Sequence, residues 1–302
     1  MTPDWIAVDW GTSHLRIWLM QSAQAVRRID SEKGMGQLSK AEFEPVLLDL
    51  LADHLPADGV LDVLCCGMVG SRQGWAEARY ANVPCTPPGL EIATLAPTQD
   101  PRLRVHILPG VKQDKPADVM RGEETQIAGA LAVRPGFDGV ICLPGTHCKW
   151  AHISAGEIVS FRTFMTGEMF ALLSGQSVLR HSIAASGWDA ASFDAAVDHA
   201  LSRPAALAGD LFSLRAEALL QDLPSETARA RLSGLLIGAE LAAAKPYWLG
   251  QNVMVLGEDA LAQAYVTALA AQGVPAELIN AESMTLRGLT AARASEESRH
   301  DA

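Results

Sequence analysis

Asp9 closes an apolar run, Trp5-Ile-Ala-Val-Asp9, and Gly11-Thr12-Ser13 follows before a second run opens at Leu15. A carboxylate at a strand end, beside a glycine that lets backbone approach a ligand and two hydroxyl residues, makes a phosphate-sized cradle. Asp9 stands where a metal ion between nucleotide phosphates takes an oxygen ligand. Taken alone, the same residues also describe an ordinary hairpin with an Asp in its turn. A second copy weighs against that reading. Val140-Ile-Cys-Leu-Pro144-Gly145-Thr146-His147-Cys148-Lys149-Trp150 again gives an apolar strand, a Gly-Thr turn and a returning strand. Both turns end on a cation, Arg16 or Lys149, and both returning strands carry a tryptophan, Trp18 or Trp150. An echo on the scale of a domain suggests two similar halves facing one another, each offering a Gly-Thr loop to a shared cleft.

The elements that must hold these loops follow in order. Residues 5–18 form strand, turn and strand, and Ala25-Val-Arg-Arg-Ile-Asp30 supplies a third strand. Phe43, Val46, Leu47, Leu50 and Leu51 share one face of a helix within 40–55; Ser39 and Glu42 have capping-box spacing, and Pro45 moves the start toward Glu44. A buried strand over 59–65 runs into the turn Gly67-Met-Val-Gly70-Ser71-Arg72. Pro84 to Pro101 is a surface excursion, 103–108 a strand, 111–125 a polar stretch, and Glu124 to Val133 a small-residue helix stopped by Pro135-Gly136. Three strands, helix, strand, crossover, strand, helix is the order of a ribonuclease H-like half. The second half opens the same way and then inserts helices near 166–181, 190–202, 210–222 and 226–244, the last able to pack closely through Gly234 and Gly238. A strand at 252–256, Gly257, a helix at 259–272, a strand at 275–279 and a helix at 282–293 finish it, with a charged tail from Ser295 expected to fray.

At 302 residues the chain is long for one core and comfortable for two, and 49% apolar residues can fill both. A net charge of −11 without a basic stripe argues against nucleic acid or an anionic membrane as main partner, although local N–H groups and a metal still permit a nucleotide. Cys65, Cys66, Cys85, Cys142 and Cys148 lack metal-ligand spacing and read as neutral thiols of a reducing compartment. No uncharged run approaches the ~18 residues of a membrane span, and the first residues carry no signal pattern. The expectation is a cytoplasmic protein whose oligomeric state, homodimer included, stays open.

The Asp9-to-Ser13 turn, the second Gly-Thr loop and the late strand–Gly257–helix resemble the phosphate-1, phosphate-2 and adenosine motifs of the actin-like ATPase and sugar kinase superfamily. Gly67-Met-Val-Gly-Ser71, Met120-Arg-Gly-Glu-Glu-Thr-Gln126, Pro144-Gly-Thr-His-Cys-Lys-Trp150 and Arg162-Thr-Phe-Met-Thr-Gly-Glu168 resemble, more narrowly, the 2-keto-3-deoxygalactonate kinase family, from about Trp5 to Ala291. The resemblance implies an α/β protein of two ribonuclease H-like domains, the actin-like ATPase fold, around a central cleft with helical insertions in the second. Residues 1–136 would be the sugar side with the first phosphate loop, and 137–302 the ATP side with the second loop and the adenosine motif. It implies ATP and Mg2+, a small-molecule sugar acid, and transfer to the 6-hydroxyl of 2-dehydro-3-deoxy-D-galactonate in galactonate catabolism. Two departures stand out. Pro144 replaces the acid that usually opens phosphate-2, leaving Asp9 more of the metal work, and the adenosine motif has one glycine, followed by Glu258, where two are usual.

Within that resemblance Asp9 orients Mg2+ through water, since the ion gives up its hydration reluctantly. Gly11, Thr12, Ser13, Arg16, Gly145, Thr146, His147, Lys149 and Gly257 hold ATP, with the two cations equally able to be merely solvated and Gly257 equally able to be a plain strand-to-helix glycine. Glu124, ahead of Glu123, accepts the proton of the hydroxyl, with Asp114 and Asp118 as spares; a glutamate in a first helical turn also suits the macrodipole. Gly70, Ser71, Arg72, Arg121 and Arg162 lie in the blocks expected to meet the sugar acid, whose carboxylate calls for an arginine. His147 beside Cys148, without partners, is a poor zinc site. A related sugar-acid kinase of the same fold, a polyphosphate or nucleotide phosphatase of that fold and a non-catalytic sugar-binding regulator are the alternatives; the phosphatase would consume ATP without a sugar, and the regulator would carry a basic DNA-binding segment that is not seen.

Overall fold

The computed structural model describes residues 2–257 and 259–300, with side chains as far as Ser295; Glu258 lies outside the described residues. The chain divides into two compact units. The first holds the residues up to Phe137, Ser154–Ser160 and the chain from Ala281 onward; the second holds Asp138–Ile153 and Phe161–Asn280.

In the first unit β1 (Trp5–Trp10), β2 (Leu15–Gln21) and β3 (Gln24–Ser31) form an antiparallel meander. After α1 (Phe43–Leu50) come β4 (Leu61–Cys66), β5 (Tyr80–Asn82), β6 (Thr94–Leu95), β7 (Leu103–Ile107), β8 (Gly110–Asp114), β9 (Ala117–Met120) and α2 (Glu123–Val133). The main sheet runs β3-β2-β1-β4-β7-β6, with β1, β4 and β7 parallel. Alternation along β1 sorts its side chains to two faces. Ile6, Val8 and Trp10 join Phe43, Val46 and Leu47 of α1 in one cluster, while Trp5 and Ala7 join Leu289 and Ala292 of the final helix (Ala281–His300) in another. Each fully buried large side chain contributes roughly 1.5–3 kcal/mol. The capping box is present, with Glu42 accepting from Ser39 N and Oγ at 2.7 Å; it closes a single turn of 3-10 helix at Lys40–Glu42, so that Pro45 falls in the first turn of α1, where its missing N–H costs nothing.

The second unit repeats the strand order: β12 (Glu157–Phe164), β11 (Cys148–Ser154), β10 (Gly139–Leu143), β13 (Val253–Leu256), β14 (Ala276–Ile279). Between β12 and β13 stand α3 (Thr166–Gly175), α4 (Ala190–Ser202), α5 (Leu207–Leu220), α6 (Ser225–Ala243) and α7 (Lys245–Trp248), and α8 (Ala260–Ala271) links β13 to β14. Cβ atoms at Gly234 and Gly238 would lie 2.5 and 2.4 Å from the Phe193 and Val197 carbonyls, so α6 touches the backbone of α4.

Three expectations change. The stretch 111–125 is not merely polar: β8 and β9 form a hairpin over 110–120, its alternation hidden because Gln113 is buried and Val119 exposed. The final helix belongs with the first unit rather than with residues 137–280, and it runs through the tail expected to fray, since its Glu, Arg and Ser residues tolerate helix. All five cysteines are free thiols, four buried and Cys85 half-buried. Among the described residues no helix is long and apolar enough to cross a membrane.

Candidate active site

The first loop is closed by Gly11 N–H donating to His14 O at 2.9 Å, leaving Thr12, Ser13 and His14 exposed. Its shape is held from below by Gly34-Met35-Gly36, a support the sequence reading missed. Met35 N–H donates to Gly11 O and Gly36 N–H to Thr12 O, both at 2.9 Å. A Cβ on Gly34 would lie 2.3 Å from the Ser13 carbonyl carbon, so only glycine lets the two segments meet. The Gly-x-Gly spacing after the third strand was the available signal.

Asp9 pairs with Arg16 in the β1–β2 register, and Arg16 Nη1 donates to Asp9 Oδ2 at 3.0 Å. Arg16 Nε lies 3.6 Å from Glu282 Oε2, and Arg28 Nη1 donates to the other Glu282 oxygen. Glu282 comes from the first turn of the final helix and was not foreseen. Burial raises the Asp9 carboxyl above its usual value; Arg16 opposes this, and repulsion from Glu282 and Glu123 adds to it.

The start of α2 sits against the same strand end. Gly67 (φ +89°) and Gly122 (φ +105°) both occupy the left-handed region, where glycine is favoured. A Cβ on Gly67 would lie 2.9 Å from Trp10 O and 3.3 Å from Asp9 Oδ1, and one on Gly122 would lie 3.3 Å from Gly67 Cα. Glu123 Oε2 accepts from Arg121 N–H at 2.9 Å. Both Glu124 oxygens accept from Gly122 N–H, at 2.9 and 2.8 Å, and Thr125 Oγ1 donates to one of them at 3.2 Å. Glu124 is 1% exposed, whereas Glu123 is half-buried. Burial first and Glu123 second raise the Glu124 carboxyl to about 7, beyond the lowering by Gly122 N–H and Arg121. The helix is locked by close approach: a Cβ on Gly129 would lie 1.9 Å from Met284 O, and one on Gly288 1.9 Å from Thr125 O. That contact between α2 and the final helix brings Glu282 to Arg16.

Asp9, Glu123, Glu124 and Glu282 thus lie among Arg16, Arg28 and Arg121 at this end of the first unit. No group of three His, Cys, Asp or Glu among the described residues could hold a bare metal ion. A Mg2+ that keeps most of its water and meets one carboxylate, Asp9, fits that donor set.

Of the sugar-acid candidates, Gly70, Ser71 and Arg121 come together. Arg121 is buried, donates from Nη2 to Ala78 O at 2.9 Å and lies 4.3 Å over the Tyr80 ring. Arg72, with an 82% exposed side chain, stands 3.8 Å from Glu77. Arg162 is exposed on β12, in the second unit. Asp114 and Asp118 belong to the β8–β9 hairpin, with Asp114 turned to Lys112 at 3.3 Å.

In the second unit the Gly145-Thr146-His147 loop has a similar prop. Glu168 N–H donates to Thr146 O at 2.9 Å, His147 Nε2 and Glu168 Oε2 are 2.6 Å apart, and a Cβ on Gly167 would lie 2.2 Å from Gly145 O. Thr146 and His147 are exposed. Lys149 is buried rather than solvated, its Nζ 3.5 Å from His147 O. Behind the loop, buried Glu240 accepts from Trp150 Nε1 at 2.7 Å, Tyr265 OH at 2.6 Å and Thr166 Oγ1, tying β11, α8 and α3 together. At Gly257 a Cβ would lie 2.4 Å from Ala262 Cβ, so tight packing of the first turn of α8 already requires glycine there.

A family model described as 2-keto-3-deoxy-galactonokinase matches residues 9–292. A Rhizobium meliloti protein named probable 2-dehydro-3-deoxygalactonokinase is 39% identical over 95% of each chain. The 2-dehydro-3-deoxygalactonokinase of Escherichia coli is 36% identical over 85% of each. A solved structure from Sinorhizobium meliloti, provisionally given the same kinase name, superposes with a TM-score of 0.90 at 37% identity, covering 97% of this chain and 99% of its own. The activator of the 2-hydroxyisocaproyl-CoA dehydratase from Clostridium difficile and component A of the (R)-2-hydroxyglutaryl-CoA dehydratase from Acidaminococcus fermentans, each 12% identical with TM-scores of 0.54 and 0.52, share the α/β fold.

Proposed function

The chain belongs to the 2-keto-3-deoxy-galactonokinase family, and we propose that it transfers the γ-phosphoryl group of ATP to the 6-hydroxyl of 2-dehydro-3-deoxy-D-galactonate, a step in galactonate catabolism. One observation carries the reading: the same strand, Gly-Thr turn and returning strand opens two sheets of the same order, the first with Asp9 at its end. The two units are read as two ribonuclease H-like domains, α3–α6 being insertions in the second. The first unit serves the sugar acid, and the second, with its Gly145–His147 loop and Gly257, serves ATP.

Phosphoryl transfer needs the phosphates held, their charge neutralised and the hydroxyl placed in line, with little covalent work from the protein. Thr12 and Ser13, with Thr146 and His147, supply exposed hydroxyl, ring and N–H donors, and Gly11 and Gly145 let backbone come close. Arg16, bracketed by Asp9 and Glu282, presents a guanidinium edge to the phosphates, while buried Lys149 lends charge from behind its loop. Asp9 would hold Mg2+ through water, and the ion, when bound, offsets phosphate charge. Glu124 takes the hydroxyl proton, its raised affinity bringing it close to neutral pH; Glu123 keeps that affinity high and is the second candidate. Gly70, Ser71, Arg72, Arg121 and Arg162 form the pool for the sugar acid.

A coupled ADP-release assay over a panel of 2-keto-3-deoxy sugar acids tests the proposal. Turnover that depends on the galactonate derivative supports it. ADP release of equal rate without any sugar acid overturns it in favour of a phosphatase.

A further inference from the structure

Arg121 is 8% exposed, yet its side chain makes a single hydrogen bond, from Nη2 to Ala78 O. A guanidinium carries five N–H donors. Among the described residues Nε and Nη1 are buried without a partner, and so is the Oγ of neighbouring Ser71, itself 7% exposed. The Tyr80 face offers cation–π attraction but no acceptor for these donors. Glu124 feels the charge of Arg121, but its two oxygens are turned to Gly122 N–H. A buried cation left in this state is costly unless something arrives to pair with it.

The surroundings pack closely on the guanidinium without pairing these donors. At Gly70 a Cβ would lie 2.8 Å from Arg121 Nη1 and 2.8 Å from the Ile107 side chain. At Gly110 one would lie 2.5 Å from Met120 O and 2.8 Å from the Tyr80 ring, so the hairpin presses Tyr80 and the chain leading into Arg121 together. None of Gly70, Ala78, Tyr80 and Ile107 brings a carboxylate to the guanidinium.

We propose that Arg121, through its unpaired Nε and Nη1 donors, and Ser71, through its hydroxyl, form the subsite for the C1 carboxylate and adjoining keto oxygen of an α-keto acid. The inference rests on the kinase reading and singles out one arginine of the three. A planar carboxylate offers the lone pairs a guanidinium fork requires, and the Ser71 hydroxyl can donate to the oxygen beside it. The placement suits a substrate acidic at one end and phosphorylated at the other. The turn Gly67–Ser71 touches Asp9 at its start and reaches the guanidinium at its end, and the run Arg121–Glu124 links the same two places in the opposite sense. Arg72 is too exposed to replace Arg121, because water would already satisfy it.

The test compares 2-keto-3-deoxy-D-galactonate with its methyl ester, by calorimetric binding without nucleotide and by steady-state kinetics. The wild-type protein should bind and phosphorylate the acid in preference to the ester. Arg121→Lys keeps the charge and loses the fork, so KM for the acid should rise about tenfold or more, with KM for ATP unchanged and the acid-to-ester ratio falling toward one. Ser71→Ala should move the ratio severalfold in the same direction. A folded Arg121→Lys protein that keeps the wild-type preference overturns the subsite. Should that variant not fold, an unchanged ratio in Ser71→Ala overturns it equally. A merely structural Arg121 would weaken acid and ester alike. Failure of the wild-type protein to act on any keto-deoxy acid is a different result, which removes the kinase reading itself.

Discussion

Glu124→Gln should make the protein more stable and less active, and the stability gain should depend on pH. Burial and the neighbouring Glu123 carboxylate raise the Glu124 carboxyl from an ordinary 4.5 to about 7. The folded protein therefore holds a proton that the unfolded chain has released above pH 4.5. The stability this contributes is complete below pH 4.5, declines as pH rises, and is gone above about 7. At about 1.4 kcal/mol per pH unit, the interval is worth roughly 3 kcal/mol. Glutamine never ionises, and its amide oxygen can still accept from Gly122 N–H. Wild type and variant should thus be close in urea unfolding at pH 4.5, and the variant should be ahead by up to roughly 3 kcal/mol at pH 8.5. Turnover should fall at both pH values where activity is measurable. An equal stability difference at pH 4.5 and 8.5 would refute the claim that an ionising carboxyl is buried there.

Asp9→Asn keeps an acceptor for Arg16, so circular dichroism should be unchanged while kcat drops about a hundredfold or more; unchanged kinetics would remove the metal assignment. Glu282→Gln breaks partly exposed ion pairs to Arg16 and Arg28, which should cost under about 1 kcal/mol in urea unfolding, yet KM for ATP should rise severalfold as Arg16 loses its second anchor. Gly288→Ala places a methyl group 1.9 Å from Thr125 O, and the two helices must part, at about 3 kcal/mol or more by thermal or urea melts. A melting temperature equal to wild type would contradict that packing.

What the sequence made legible was local. The strand pattern around Asp9, its repetition at Gly145, and the helices over 190–202 and 226–244 rest on periodicity and turn chemistry within a few residues of one another. What stayed hidden was set by distant partners. Nothing near Glu282 marks it as the anchor of Arg16, because that role depends on Gly129 and Gly288 letting two helices touch. Gly34 and Gly36 simply follow the third strand in sequence, and only contact with Thr12 and Ser13 shows what they support. Glu240 has no task that the sequence shows, and only in the fold do Trp150, Thr166 and Tyr265 converge on it. The three arginines proposed for the sugar acid were indistinguishable in sequence, since burial and unmet donors are properties of the folded chain.

The return of the final helix to the first unit bears on the order in which the protein can be completed during synthesis. Trp5, Trp18, Leu64 and Leu108 share a cluster with Leu289 and Ala292, so one face of the first sheet stays uncovered until the helix from Ala281 has been made. The second unit, Asp138–Ile153 and Phe161–Asn280, is complete in sequence before that helix is made. The nascent N-terminal sheet is therefore the part most exposed to chaperones and to aggregation. A stop codon shortly before Ala281 would remove no residue of either Gly-Thr loop, yet would strip Arg16 of its anchor and leave two tryptophans facing water.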